Sequence, residues 1–411
     1  MKKSGYMFRI KKKIFFAIAL SLIVISGCVE PFEISPQTFD DVLIVEATLT
    51  NEEKTQVISL SRTGILGSTE PIWEEGAEVI VTQDSNNTLR FLETQPGIYE
   101  SEFEFAALPT SSYQLSITTR DGDSYTSNQE NLPSSAVIDD VIARKITNDD
   151  GIEGIEIFVN SFDATGQSKF YRYSYEETYK IIAPQWNQFE AFVVSENPPS
   201  VDIRLRPQEE LICYGNNASS TSILFSTTTL NEDRVSELPI RFIEKSDFII
   251  AHRYSILVKQ IVQTEQAFQF YEKLRELSSQ GNLLSQSQPG FLIGNVFPDQ
   301  ETSKSVTGYF DVSSVSTKRL FFNFEDFFDD IGTPAYIVGC EQILTPTLDA
   351  DRFGNSALIQ AIQNNSLEFF NDNVGMGGVT PQGEGPFQMV PRICGDCTVI
   401  GSNEVPEFWI E

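Results

Sequence analysis

Histidine is almost absent from this chain: His252 is the only one among 411 residues. That excludes any centre needing two imidazoles, and with it most zinc hydrolases. Bases are scarce too, 29 against 58 acids, for a formal charge of -29. Nucleic-acid binding needs a basic surface to displace counterions from phosphate, and this chain offers the reverse. Anionic lipid headgroups are disfavoured as partners for the same reason. The apolar run Ile14 to Ile25 is too short for a typical membrane-spanning helix. No Gly-x-Ser-x-Gly elbow, Ser-x-x-Lys motif or phosphate-cradling glycine loop occurs. No unit of roughly 20–50 residues repeats, which argues against solenoids and propellers. What is present is 40% hydrophobic and 11% aromatic residues, enough to build cores. The length exceeds the roughly 100–200 residues typical of one domain, so two are expected.

The first 27 residues carry the strongest local signal. Lys2, Lys3, Arg9, Lys11, Lys12 and Lys13 precede the Ile14–Ile25 run, the order of a charged n-region and an h-region. The run ends in Ile25-Ser26-Gly27-Cys28, which looks like a bacterial lipobox. There the cysteine thiol is diacylated before cleavage leaves Cys28 as the new N-terminus. An ordinary secretory signal or an uncleaved anchor helix is the competing reading. Two or three acyl chains hold a protein on a membrane stably where one would not. Cleavage removes six bases and no acids, so 29 bases fall to 23 against an unchanged 58 acids, a formal charge of -35. Glu30 and Glu33, just behind the cysteine, resemble the surface-export signal of Bacteroidota lipoproteins; a periplasmic acidic tether over 28–39 is the alternative.

Four cysteines remain: Cys213, Cys340, Cys394 and Cys397. An even number in an exported chain implies two disulfides, for which three pairings can be drawn. Cys394-Gly395-Asp396-Cys397 also has the spacing of a redox dithiol or half a zinc site. No thioredoxin-like βαβ pattern surrounds it, however, and the other two cysteines are single and distant. Structural bridges are expected, with Cys213 and Cys340 each reaching the terminal pair, because that would staple the C-terminal segment to the body.

Residues 40–130 read as short strands with β-branched alternation, broken by turn residues every ten or so positions. Examples are Val42–Leu49, Val57–Leu60, Ala77–Val81, Leu89–Leu92 and Tyr113–Thr119, with Asp121-Gly122 turning into Ser124–Thr126. The pattern predicts an immunoglobulin-like sandwich. Asn131–Ser135 reads as a linker to a larger β-rich domain over 135–411 with one or two helices. Thr264 is the expected cap of one helix, with Ala267, Phe270, Tyr271, Leu274 and Leu277 forming a core-facing stripe. Ser356 to Gln363 is the second. The fold class expected is therefore mainly β.

Several landmarks occur in an order that resembles domain-of-unknown-function family 4249, exported lipoproteins of Bacteroidota. They are Leu43–Ala47, Ser59–Thr63, Tyr254–Val258, Ala267–Glu272, Gly308-Tyr309-Phe310 and Lys318-Arg319. The clearest is the tail, Cys394-Gly395-Asp396-Cys397 followed by Pro406-Glu407-Phe408-Trp409. The resemblance extends over essentially all of the mature chain. Where the family often carries a Gly-Gly pair after the second tail cysteine, this chain has Gly401-Ser402. The resemblance brings no catalytic residues. Members are often encoded near TonB-dependent receptors, which implies an accessory or substrate-capturing role at such a transporter.

No catalytic set can be assembled from the residues. His252, in Ile249-Ile250-Ala251-His252-Arg253, reads as a core or strand-edge histidine rather than a general base. The pairs Asp121/Asp123, Asp149/Asp150, Asp329/Asp330 and Asp349/Asp351 read as solvated turns rather than calcium loops. Glu325–Asp330 is either a surface contact or a helical turn with buried phenylalanines. Trp73, Trp186 and Trp409 are candidate sugar-stacking platforms. The expectation is a non-enzymatic lipoprotein at the outer membrane, anchored through Cys28, with a TonB-dependent receptor as partner, an unidentified ligand and no metal or cofactor. An extracellular carboxylate-dependent hydrolase and a structural or adhesive envelope lipoprotein are the alternatives.

Overall fold

The computed structural model describes residues 41–64, 71–279, 292, 294–301, 303–329, 332–375 and 378–411. The export signal, Cys28, the tether and Asp330 lie outside the described residues. The first strands are β1 (Leu43–Thr50), β2 (Val57–Arg62), β3 (Ile72–Trp73), β4 (Glu78–Gln83) and β5 (Asn87–Gln95). Next come β6 (Ile98–Ser101), β7 (Ser112–Thr118), β8 (Ser124–Ser127) and β9 (Glu130–Asn131). The middle of the chain supplies β10 (Ile138–Thr147), β11 (Glu153–Phe162), β12 (Phe170–Ile182), β13 (Phe189–Glu196) and β14 (Pro199–Leu205). It continues with β15 (Ile212–Ala218), β16 (Ile223–Ser226), β17 (Arg234–Glu244) and β18 (Arg253–Val262). Helix α1 (Glu265–Ser279) precedes β19 (Val296–Pro298) and the long β20 (Val306–Asn323). Helix α2 (Ala357–Gln363), β21 (Leu367–Asp372), β22 (Phe387–Pro391) and α3 (Arg392–Gly395) complete the set. The molecule is mainly β, as the alternation predicts. No helix among the described residues is long and apolar enough to cross a membrane.

One hydrogen-bonded path orders most strands as β15-β12-β18-β20-β1-β2-β6-β5-β4-β7-β8-β19. Its pivot is β20. Residues 306–313 pair in parallel with β1, and residues 314–323 pair antiparallel with β18. The sheet is thus continuous across the linker expected at 131–135, because strands from beyond residue 290 join the first nine. The path also curls until β19 packs beside β20. Period-two alternation explains the faces. In β1, Leu43, Val45, Ala47 and Leu49 are buried while Glu46 is exposed. In β20, Phe310 and Val312 enter that same core, which leaves Tyr309, Asp311 and Ser313 on the opposite face. Gly308 lies against Val45 with φ +124°, and a Cβ there would come within 2.0 Å of the Val45 carbonyl oxygen. Only glycine permits so close a parallel approach in that conformation.

A second core forms where the three-stranded sheet β10-β11-β17 covers β12 and β18. Ile155, Ile157, Val159, Ile256 and Val258 fill it. Three buried tyrosines there each find a polar partner, as buried phenols generally must. Tyr171 donates to Asp233 (2.9 Å), Tyr173 to Gln260 (2.9 Å) and Tyr254 to Glu177 (2.6 Å). A small third core gathers Leu358 of α2 with Phe369, Phe387 and Met389, against the β13-β14 hairpin.

The cysteines form two disulfides, Cys213–Cys397 and Cys340–Cys394. Each member of the Cys394-x-x-Cys397 pair is joined to a body cysteine, so the motif is neither a dithiol switch nor half a zinc site. Beyond it the tail lies on β12, β15, β18 and β20. Trp409 packs on Tyr214 and Phe321, and Arg319 stacks over Phe408 at 3.5 Å. Lys180 pairs with Glu411 at 3.0 Å.

Candidate functional site

Helix α1 sets one wall of a sizeable cavity. Thr264 caps it as expected, its hydroxyl accepting from the Ala267 N–H (3.3 Å). Ala267 and Phe270 are buried and pack on Tyr309 of β20, with Tyr271 beside them. The stripe does not bury throughout: Leu274 is 40% exposed. The first turn and a half therefore docks on β20, while Gln266, Gln269 and Lys273 face a cleft of about 700 Å³. Across from them lie the segment Asn128–Asn131 and residues Leu292, Gly294 and Asn295. The volume falls within the roughly 300–1,000 Å³ usual for small-molecule sites.

The cleft is polar. Six carboxamides line it, from Asn128, Gln129, Asn131, Gln266, Gln269 and Asn295. Asn295 is the keystone of its floor. Its Nδ2 donates to the Phe310 carbonyl (2.8 Å) and its Oδ1 accepts from the Phe310 N–H (2.8 Å). The side chain thereby imitates one rung of an antiparallel ladder and closes β20 onto the segment leading into β19. Nδ2 also donates to Glu130 Oε1 (2.8 Å), which accepts from the Tyr309 hydroxyl as well (3.1 Å). Both donors thus converge on one carboxylate oxygen. Oε2 receives no hydrogen bond among the described residues, at the wall of the cleft.

Glu130 is 8% exposed, and no cation among the described residues lies within ion-pair distance of it. Burial raises its pKa above the ordinary glutamate value, against the lowering effect of Asn295 and Tyr309. Lys273, at the rim, pairs with Glu276 (2.8 Å). Two residues along β20 from Tyr309, Asp311 is fully buried and likewise held above its ordinary value by burial. It accepts from Gln263 Nε2 (2.6 Å) and Ser313 Oγ (2.7 Å), with Arg172 at 3.8 Å. Arg172 in turn stacks on Tyr271, 4.2 Å from the ring centre. Of these two buried acids, only Asp311 has a guanidinium beside it among the described residues.

The residues singled out in sequence are scattered. His252 is half-buried beside a separate cavity of about 250 Å³, with Phe248, Pro334 and Tyr336. Burial, then Lys180, holds its imidazole below the ordinary value, and no carboxylate hydrogen-bonds to it among the described residues. Trp73 is exposed on β3, Trp186 lines a groove with Phe189 and Phe369, and Trp409, in the tail, packs on Tyr214 and Phe321. They do not meet. Asp351 accepts the Phe353 and Asn355 N–H groups (2.8 and 2.9 Å), closing its own turn. The Glu325–Asp330 run begins as a helical turn with Phe324 and Phe328 buried and stacked. No three acidic, histidine or cysteine side chains among the described residues gather to hold a metal.

Glu130, Asn295 and Tyr309 were not singled out by sequence as site residues. The only local signals are the amide-rich run Asn128–Asn131 and an acid, Asp311, within the apolar strand Tyr309-Phe310-Asp311-Val312. Fold and cleft together define a β protein with a ligand-sized, amide-bearing cleft at the closure of its main sheet. The chain belongs to the family described as Domain of unknown function (DUF4249), whose model matches residues 29–319. The match takes in the cleft and stops short of the Cys394–Trp409 tail, where the resemblance had looked clearest. No curated protein matches the chain.

Proposed function

We propose that this protein is a lipid-anchored, non-enzymatic capture protein of the outer membrane, facing the cell surface and serving a TonB-dependent transporter. The cleft carries the reading. Among the described residues it offers several carboxamides, one buried carboxylate and no nucleophile–base pair, an inventory suited to holding a polar molecule rather than transforming it. The lipobox-like Ile25–Cys28 and the acidic Glu30 and Glu33 support the anchor and its orientation. The family match beginning at residue 29, directly after Cys28, is consistent with a mature chain starting there. Twelve residues separate Cys28 from Asp41, so the body can stand at most about 40 Å from its anchor. A tethered receptor held that close to a transporter raises the local concentration of whatever it binds.

The test is affinity purification of the tagged protein from detergent-solubilised outer membranes. A TonB-dependent receptor should co-purify in a stable ratio; its absence from crosslinked and uncrosslinked samples alike overturns the proposal. Protease added to intact cells should degrade the protein, whereas survival until lysis would assign it to the periplasmic face.

A further inference from the structure

We propose that the cleft recognises its ligand through an alkylammonium group seated on Glu130 Oε2, with the surrounding carboxamides holding the polar atoms behind it. This rests on the reading of the same cleft as a capture site, and names the chemistry it captures. Three observations converge. First, Glu130 is more than nine-tenths buried, yet Oε2 has no donor among the described residues, while Asn295 and Tyr309 both serve Oε1. Oε2 is not sealed from solvent, so an incoming donor can reach it without displacing a protein partner.

Second, the local charge count is short by one cation. Arg172 stands near Asp311, Lys273 is paired with Glu276, and among the described residues no cation lies within ion-pair distance of Glu130. An arriving ammonium supplies that charge and forms charge-assisted hydrogen bonds, the stronger class. Third, Gln129 beside Glu130, and Gln266 and Gln269 on the facing helix, line the same cleft. Carboxamides donate and accept at once, which matches amide or amine groups following the ammonium. A net charge of -29 also draws cations towards the surface and repels anions. A peptide N-terminus and a free aliphatic amine share this chemistry, and the probes distinguish them.

The experiment is calorimetric titration of the full acylated protein in a neutral polyoxyethylene detergent. The probes are triglycine, N-acetyl-triglycine, putrescine and maltotriose. Triglycine or putrescine should bind, and N-acetylation should weaken triglycine about ten- to a hundredfold, the worth of a charge-assisted contact. Binding by triglycine alone assigns a peptide terminus; binding by putrescine assigns free amines. Glu130→Gln should weaken the bound ammonium probe by a similar factor while leaving the unfolding midpoint unchanged or higher. Gln269→Ala, at the exposed wall, should weaken it less. The inference fails if neither ammonium probe binds at about 10 mM, a concentration that detects even millimolar affinity. It fails equally if the acetylated peptide binds as well as the free one, if maltotriose alone binds, or if Glu130→Gln changes nothing. Receptor co-purification without ammonium binding would remove only this inference, whereas ammonium binding without a receptor would remove only the transporter partnership.

Discussion

Single carboxylates in this chain differ in what burial does to them, and the difference is measurable. Asp163 is buried, which alone would raise its pKa, but Thr165 and Ser168 donate to it through backbone and side chain and hold it well below the ordinary value. A depressed pKa means stability that is present above the unfolded value and lost as pH falls through the folded one. Asp163→Ala should therefore cost about 1–3 kcal/mol in urea unfolding at neutral pH. The gap to the parent should shrink as pH drops below about 4, where an unfolded aspartate takes up its proton. Glu130 has the opposite sign. Its folded pKa is raised, so its contribution is favourable below the unfolded value and lost as pH rises through the folded one. Glu130→Gln should then match or exceed the parent's stability at pH 7 and lose that advantage in acid. A Gln carbonyl can still accept from Asn295 and Tyr309, which is why the neutral form is tolerated.

At the scale of elements, β20 and the Asn295 bridge matter most. Gly308→Ala places a methyl against the Val45 carbonyl at a positive φ, which should cost at least about 1–3 kcal/mol and lower the melting temperature. Asn295→Ala leaves the Phe310 N–H and C=O without partners in a buried place, at about 1–3 kcal/mol for each orphaned group. Faster hydrogen exchange at the Phe310 amide would report the opened closure; unchanged protection would show that the bridge is dispensable. Most strands of residues 40–130 were legible from alternation, as was the Thr264 cap, whereas β10, β13–β17, β21 and β22 were not, and Ser356, read as the start of the second helix, caps it instead. The extent of the α1 docking face was not legible either. Ala267 to Leu277 keep helical spacing throughout, yet the contact with β20 ends before Leu274.

For the whole molecule, covalent ties and the anchor are the levers. The two bridges join residues 184 and 54 apart in sequence and restrict the unfolded chain accordingly. Removing Cys213–Cys397 by paired serine substitution should cost about 2–5 kcal/mol, read as a lower denaturant midpoint. The parent protein under reductant loses both bridges and should fall further than the serine variant does without reductant. Cys28→Ala should move the protein from the membrane to the soluble fraction; unchanged fractionation would remove the lipid anchor from the account.

Local chemistry was enough to determine the mainly β class, the oxidised C-terminal cysteines and the exclusion of a two-imidazole centre. Those properties depend on neighbours in sequence, on composition, or on a count. The alternation of Leu43, Val45, Ala47 and Leu49 marks a strand whatever it pairs with. Tertiary structure alone decided that β1 would lie beside β20, far along the chain, and that one face of β20 would fill a core while the other carries Tyr309 and Asp311. It also brought Glu130, Asn295 and α1 around one cleft. A strand's period is written in its own backbone, but its partner is chosen by the global burial of apolar faces and by closure of long loops, and no local pattern encodes that choice.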